Sequence, residues 1–458
     1  MIPPSLSAAI QSTADALYVP WLVVLLFGAG LFLTLRYGVV QVRRFREALG
    51  TFVGSQDASA GGALSPFQAF MTALAATIGT GNIAGIAAGI VSGGPGALFW
   101  IWCYGFVATA LKFSEAVLGV TYREVDGTRT RTGPMYYLRD GIKSPALAWI
   151  YALIAGVAAL TTTPFTQTNS IALVWNTQFG VPTWASGVLI AVLTWLVIIG
   201  GIQSIGKAAE KLTPLKVGLY LAGGLFVIVS FASRIPDVLA LVFQEAFSTR
   251  AAAGGTMGFV IAMRYGLARG MYANEAGYGT AAVAYGTARS RRPAEQGLNA
   301  VMEVFIVSFV TSTISAMVVL LGAWDAVQQS RDALGVASLT STAAVAHSFN
   351  QVVPAVGGWV VAFCVFLFGY TTLIGWAFYG EQFLAYIFGP RVVTPYRWIY
   401  CLLIPLGAIS KVDLVWAWGD LMNALQIFPN IIGVLGLSGL VARIARARDP
   451  QPDQPVST

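Results

Sequence analysis

Charge is scarce in this chain: of its 458 residues only 10% are Asp, Glu, Lys or Arg, against roughly a quarter in an ordinary soluble domain. With 56% hydrophobic residues and a mean hydropathy of +0.71, the shortage excludes a soluble globular class and indicates a polytopic membrane protein. Histidine is scarcer still. The single one, His347, is expected in a loop without a specific task. The three cysteines, Cys103, Cys364 and Cys401, lie in apolar segments, are odd in number and lack metal-ligand spacing, so no disulfide framework follows. No Ser/His/Asp set, catalytic carboxylate pair or metal-ligand cluster converges, which argues against an enzyme and against a resident cofactor. No basic segment precedes an apolar core at the start, so no cleavable signal peptide is expected.

What is abundant is apolar length. Cutting at Gly, Pro and charge clusters, with about 20 apolar residues per span, places segments near 17 to 35, 66 to 91, 97 to 120, 146 to 174, 182 to 202 and 213 to 232. The rest fall near 254 to 288, 296 to 323, 353 to 388, 396 to 410 and 414 to 442. That gives an all-α membrane protein of eleven transmembrane helices in a single domain over 1 to 458, with a Pro-rich tail, 449 to 458, expected to be disordered. The net charge of +7 comes from basic residues in alternate loops, among them Arg43, Arg44, Arg129, Arg131, Lys207, Arg291, Arg391 and Arg446. Scattered in this way they set orientation, with the N-terminus outside and the C-terminus cytoplasmic, and no nucleic-acid partner is implied. Setting aside the first helix (17 to 35), two sets of five spans, about 65 to 232 and about 254 to 442, start on opposite sides of the bilayer. This predicts an inverted repeat.

Each repeat opens on a broken helix. Gly79-Thr80-Gly81-Asn82-Ile83-Ala84-Gly85 sits in the centre of one apolar run and Asn274-Glu275-Ala276-Gly277-Tyr278-Gly279 in another. Glycine weakens a helix, and the backbone groups freed at membrane depth need a cavity, a neighbour or a ligand to satisfy them. Two interruptions at corresponding places point to a transporter's binding site. The first tract also fits G-x-G-x-x-A, but a dinucleotide fold needs a soluble βαβ context that is absent here. Helix packing through Gly81, Gly85 and Gly89 is the alternative use of its glycines. Glu275 is an acidic group at membrane depth, either functional or paired with Arg264 or Arg269. Lys112 and Glu115, at i, i+3, suggest a local ion pair. Gln167 and Ser170 share a face of the fourth span, as binding groups or as polar glue between helices. Thr371 and Thr372, ahead of Gly375 and Trp376, offer hydroxyls suited to a hard cation.

At these residues the chain resembles the alanine or glycine:cation symporter family, a branch of the amino acid, polyamine and organocation superfamily with the leucine-transporter fold. The stretches that carry the resemblance are Ala76 to Gly85, Gly93 to Trp102, Gly133 to Tyr137, Gln167 to Ala172, Arg269 to Gly279, Gly375 to Glu381 and Asp420 to Asn430. The resemblance implies a cell (inner or plasma) membrane carrier of alanine and glycine driven by a cation, usually sodium. It assigns substrate contacts to Gly79, Thr80, Gly81, Asn82, Gln167, Asn274, Glu275, Gly277 and Trp376. The cation would lie at Thr371, Thr372 and the carbonyl of Ile78. No obligate protein partner is implied. Two positions depart from the family: Phe305-Ile306-Val307-Ser308 lacks a carboxylate, and Lys216 stands where an apolar residue is usual. Lys216 either replaces Na+, leaving transport proton-linked or sodium-independent, or reaches the cytoplasmic surface and leaves sodium coupling intact. The rival class is a channel or receptor, which would call for rings of repeated polar residues.

Overall fold

The computed structural model describes residues 9–10, 12–13, 16–17, 21–51, 61–126, 129–249, 258–334 and 339–447. The expected tail at 449 to 458 and the start of the second repeat at 254 to 257 lie outside them. Nearly all of what is described is helix, because a chain in hydrocarbon must satisfy its backbone within each segment.

In chain order the main helices are α1 (Val23–Arg36), α2 (Pro66–Thr77), α3 (Ala84–Gly93), α4 (Ala97–Thr121), α5 (Pro145–Thr161), α6 (Thr163–Phe179), α7 (Thr183–Ile198) and α8 (Gly201–Ser230). They continue with α9 (Gly258–Asn274), α10 (Thr280–Gly286), α11 (Pro293–Val304), α12 (Ser312–Gly322), α13 (Gly357–Phe388), α14 (Val393–Ile409), α15 (Val412–Gly436) and α16 (Ser438–Arg446). Among the described residues six helices are long and apolar enough to cross a membrane, or up to eight if each bent pair counts as one. One of those pairs is α2 with the segment from Thr80 to Gly93, bent by 65°.

α2 starts sharply. Ser65 and Gln68 form a reciprocal capping box and Pro66 occupies the first turn. α4 is the central post, buried along most of its length and packed on α1, α9, α10 and α11. α13 is the second post, against α2, α5, α6 and α8. The two interruptions lie between these posts. Outward, Trp184, Leu196, Val229 and Leu402 are exposed, an apolar belt suited to lipid tails.

Arg123, just past α4, donates to the carbonyls of Gly61 (2.9 Å), Gly286 (2.8 Å), Ser290 (2.7 Å) and Ala288. Beside it Leu64 and Ala288 form a parallel bridge. The start of the first broken span and the end of the second are thereby tied together. Burial pushes the Arg123 guanidinium down to about 10.

Three local readings change. His347 is on a helix, Ser341–Val352, beside Gln351 at 3.1 Å, not in a loop. A short hairpin pairs Glu124–Asp126 with Arg129–Arg131, a departure from all-α. α8 begins at 201 instead of 213, because its polar first turns are held by neighbours, Gln68 donating to Glu210 at 3.0 Å.

The posts pack through glycine: a Cβ on Gly119 would run into the Ala282 carbonyl of α10. Gly119→Val should therefore destabilise the protein by about 1–3 kcal/mol, lowering its thermal unfolding midpoint in detergent. An unchanged midpoint would mean that α4 and α10 do not meet this closely.

Candidate functional site

The first interruption leaves Ile78 and Gly79 outside helix, followed by a single tight turn over Thr80–Asn82. Gln167 of α6 supplies the missing partner: its Oε1 accepts from the Thr80 amide at 2.9 Å and the Thr80 hydroxyl at 3.0 Å. Asn82 donates its amide to Thr77 O at 3.0 Å and accepts, through its carbonyl, the Ser315 hydroxyl at 2.6 Å. Gly79 has no room for a side chain, since a Cβ would lie 2.8 Å from Thr372 Oγ1 and 3.0 Å from Gln167 Oε1.

The second interruption is held in an uncommon backbone shape, with left-handed φ at Glu275 (55°), Gly277 (96°) and Gly279 (85°). For the two glycines this shape costs little, whereas for Glu275 it is strained and needs support. Support comes from α4. Glu115 Oε1 accepts from the amides of Gly277 (2.9 Å) and Gly279 (3.1 Å) and from Asn430 Nδ2 (2.8 Å). One turn earlier, Lys112 donates to Asn274 O at 2.6 Å, Glu303 Oε1 at 2.7 Å and Thr77 Oγ1 at 3.1 Å. The expected Lys112–Glu115 pair is thus not made. Both groups are buried, and each is taken by the backbone that the break leaves short of partners. Because Thr77 also donates to Glu303 at 2.6 Å, one ion pair ties the ends of α2 and α9 together.

Glu275 itself faces away from this brace. Its carboxylate accepts from Trp376 Nε1 at 2.9 Å and from the Thr280 hydroxyl at 3.0 Å, instead of pairing with Arg264 or Arg269.

Lys216 does not reach the surface. It is fully buried, and Nζ donates to Ile78 O at 2.6 Å, Ala75 O at 3.1 Å and Thr371 Oγ1 at 2.5 Å, with the Phe368 ring 5.4 Å away. Thr372 Oγ1 donates to the same Ala75 carbonyl at 3.1 Å. The ammonium therefore caps the C-terminal carbonyls of α2, where a helix end favours a cation. A stem tucked between α2 and α13 points inward, which is why the cytoplasmic alternative fails.

Between the two interruptions lies a small cavity, with about 20 Å³ open to the centre of a water-sized sphere. Gly79, Gly81, Asn82, Gln167, Glu275, Thr372 and Trp376 line it, with Tyr272, Thr163 and Asn423 among the others. Thr80 is adjacent and buried. Asn274 and Gly277 are not on its wall: Asn274 Oδ1 turns back to the Ala276 amide at 3.0 Å, and Gly277 packs against Leu26 and Asn430. Glu303 has no role in the sequence reading, and Asn430 only closes one of its matching stretches. A lone acidic residue in the apolar run Asn299 to Val310 is the signal that would have marked the first.

Removing one partner of a buried pair leaves the other charge unsatisfied. Lys112→Met should cost about 3–5 kcal/mol of stability, read from thermal unfolding, with part regained on adding Glu303→Gln. Equal stability of the single variant and the parent would contradict the brace.

The description "Sodium:alanine symporter family" matches residues 4–454. The chain is 38% identical over 434 residues to sodium/alanine symporter AgcS of Methanococcus maripaludis, covering 93% of this chain and 94% of that one. It is 32% identical to "Probable sodium/glutamine symporter GlnT" of Bacillus subtilis, over 93% and 87%. Among solved structures, MhsT in complex with L-phenylalanine is similar in fold, with a TM-score of 0.53 at 12% identity over 83% of this chain and 99% of that one. This protein is a multi-pass membrane transporter and not an enzyme, and it belongs to the sodium:alanine symporter family.

Proposed function

We propose that the chain imports small neutral amino acids, alanine and glycine, across the cell membrane by alternating access, with the Lys216 ammonium standing where relatives would bind sodium. The observation that carries this reading is Lys216 Nζ seated on Ile78 O, Ala75 O and Thr371 Oγ1. A sodium ion needs those same oxygens, and a like charge already there repels it. Beside it, in a space that widens during the transport cycle, an amino acid zwitterion would bind. Its carboxylate would take the Thr80 to Asn82 turn once Gln167 releases the Thr80 amide, and its ammonium would face Glu275. Trp376 and the crowding at Gly79 narrow this space, which favours hydrogen or methyl over larger side chains.

The same reading takes the chain as eleven spans, an extra N-terminal helix followed by a five-plus-five inverted repeat, with the N-terminus outside and the C-terminus cytoplasmic. The two broken spans, joined by Lys112–Glu303 below the cavity and by Arg123 at one end, would rock as a unit against the remaining helices. A second reading is sodium symport at Ile78, Thr371 and Thr372 with Lys216 swung aside. What favours it is the chain's likeness to a sodium/alanine symporter and to a probable sodium/glutamine symporter. A channel or receptor has no comparable support.

Labelled-alanine uptake into proteoliposomes with all sodium replaced by choline separates the two readings. Undiminished uptake is expected, and loss of uptake would overturn the role given to Lys216. Gln167→Leu and Asn82→Leu should each weaken alanine binding at least about tenfold, about 1.4 kcal/mol, while still eluting as folded protein. Parental affinity in both would place the substrate elsewhere.

A further inference from the structure

Among the described residues, six fully ionisable side chains are at least nine-tenths buried: Lys112, Glu115, Lys216, Glu275, Glu303 and Glu381. Glu381 is matched by Arg397, which reaches it with two bonds of 2.6 and 2.9 Å. The other five surround the two interruptions, and two ammonium groups against three carboxylates leave one negative charge in excess. A zwitterionic substrate does not change that balance. Isolated charge is costly at membrane depth, so with all five ionised one bound positive charge would restore the balance. With Lys216 on the carbonyls of α2, a proton is the simplest supply.

The hydrogen bonds say which carboxylate can take it. Glu275 has a donor on each oxygen, Trp376 and Thr280. Glu303 has Lys112 and Thr77 on one oxygen and Tyr285 at 2.8 Å on the other. Glu115 differs: three donors converge on Oε1, while Oε2 is buried with no partner among the described residues. A hydrogen on Oε2 displaces nothing. The charged and titratable groups around it are Lys112 one turn back and Tyr104 on the same helix, Tyr137 and Tyr151 from the elements packed against it, Glu275 in the braced segment and Glu303 beyond Lys112.

We propose that Glu115 is the proton carrier of this transporter, loaded at Oε2 with each amino acid and emptied on the opposite side. The proposal rests on the reading of Lys216 as a tethered cation. One O–H bond forms from external water-borne H+ and the same bond breaks to internal water, so one positive charge enters with each zwitterion. The link to movement is direct, because the amides of Gly277 and Gly279 bond to a carboxylate. Neutralising it weakens those charge-assisted bonds and frees the left-handed segment that carries Glu275 toward the cavity.

The test compares wild type, Glu115→Gln and Glu115→Asp in sodium-free proteoliposomes, each measured for alanine exchange and for accumulation driven by an alkaline interior. The amide keeps an oxygen for the three donors and imitates the protonated group. Expected are accumulation of at least about fivefold by wild type, accumulation retained by Glu115→Asp, and Glu115→Gln losing accumulation while still exchanging alanine at a measurable rate. Gradient-driven accumulation by Glu115→Gln would overturn the proposal. So would loss of exchange together with accumulation in both variants, which would make the residue a brace only. A wild type that exchanges without sodium yet ignores the pH gradient would also overturn it, leaving the Lys216 reading intact. A strict sodium requirement would instead remove the Lys216 reading on which the proposal rests.

Discussion

A peptide group without a partner in the middle of a membrane is penalised by several kcal/mol, and this fold depends on how it meets that penalty at two places. Ordinary helices settle the problem internally. Where α2 gives way at Ile78 and α9 at Glu275, the orphaned carbonyls and amides are answered by side chains from other helices: Gln167 and Lys216 at the first, Glu115, Lys112 and Asn430 at the second. Positive charge meets carbonyl ends and negative charge meets amides, as the polarity of a helix end requires. Charged residues are rare in this sequence because most of its bilayer-facing length cannot hold them. Of the six buried ones among the described residues, five gather at the two interruptions.

This arrangement also explains why the interruptions work as one device. Thr77 and Asn274, at the ends of α2 and α9, share the Lys112 ammonium and its partner Glu303. A shift of one interruption is therefore felt by the other through two or three short bonds. The cavity above them is bounded by what such a pair leaves available: the Thr80 turn, the Glu275 carboxylate and the Trp376 ring. The tight spot at Gly79, pressed by Thr372 and Gln167, limits the size of anything enclosed.

Much of this was legible in the residues. The two interruptions announced themselves because Gly79, Gly81, Gly277 and Gly279 break apolar runs, and a helix in lipid tolerates such runs of glycine only where other groups cover it. Glu275, Gln167 and Trp376 were identifiable as polar or amphipathic groups at membrane depth. What sequence could not supply was partnership. Lys112 and Glu115 look like a local pair at i, i+3, yet both are drawn to the same backbone break more than 150 residues away in the chain. Lys216 could have pointed to water or to the interior, and only the packing of α8 on α2 and α13 decides between them. Asn274 and Gly277 sit in the right segment, but a left-handed turn rotates them off the cavity wall. His347 and the first turns of α8 were misplaced because polar composition was taken for loop where neighbouring helices in fact hold a helix.

The central claim is the proposal that the transported amino acid binds between the two interruptions, its carboxylate on the Thr80 to Asn82 turn and its ammonium at Glu275. Hydrogen–deuterium exchange of the purified protein, with and without alanine, tests it most directly. Peptides covering 77 to 83 and 274 to 280 should slow together on adding alanine, while peptides from α7 and α14 stay unchanged. Protection confined to one of the two segments, or appearing only in distant helices, would contradict the account.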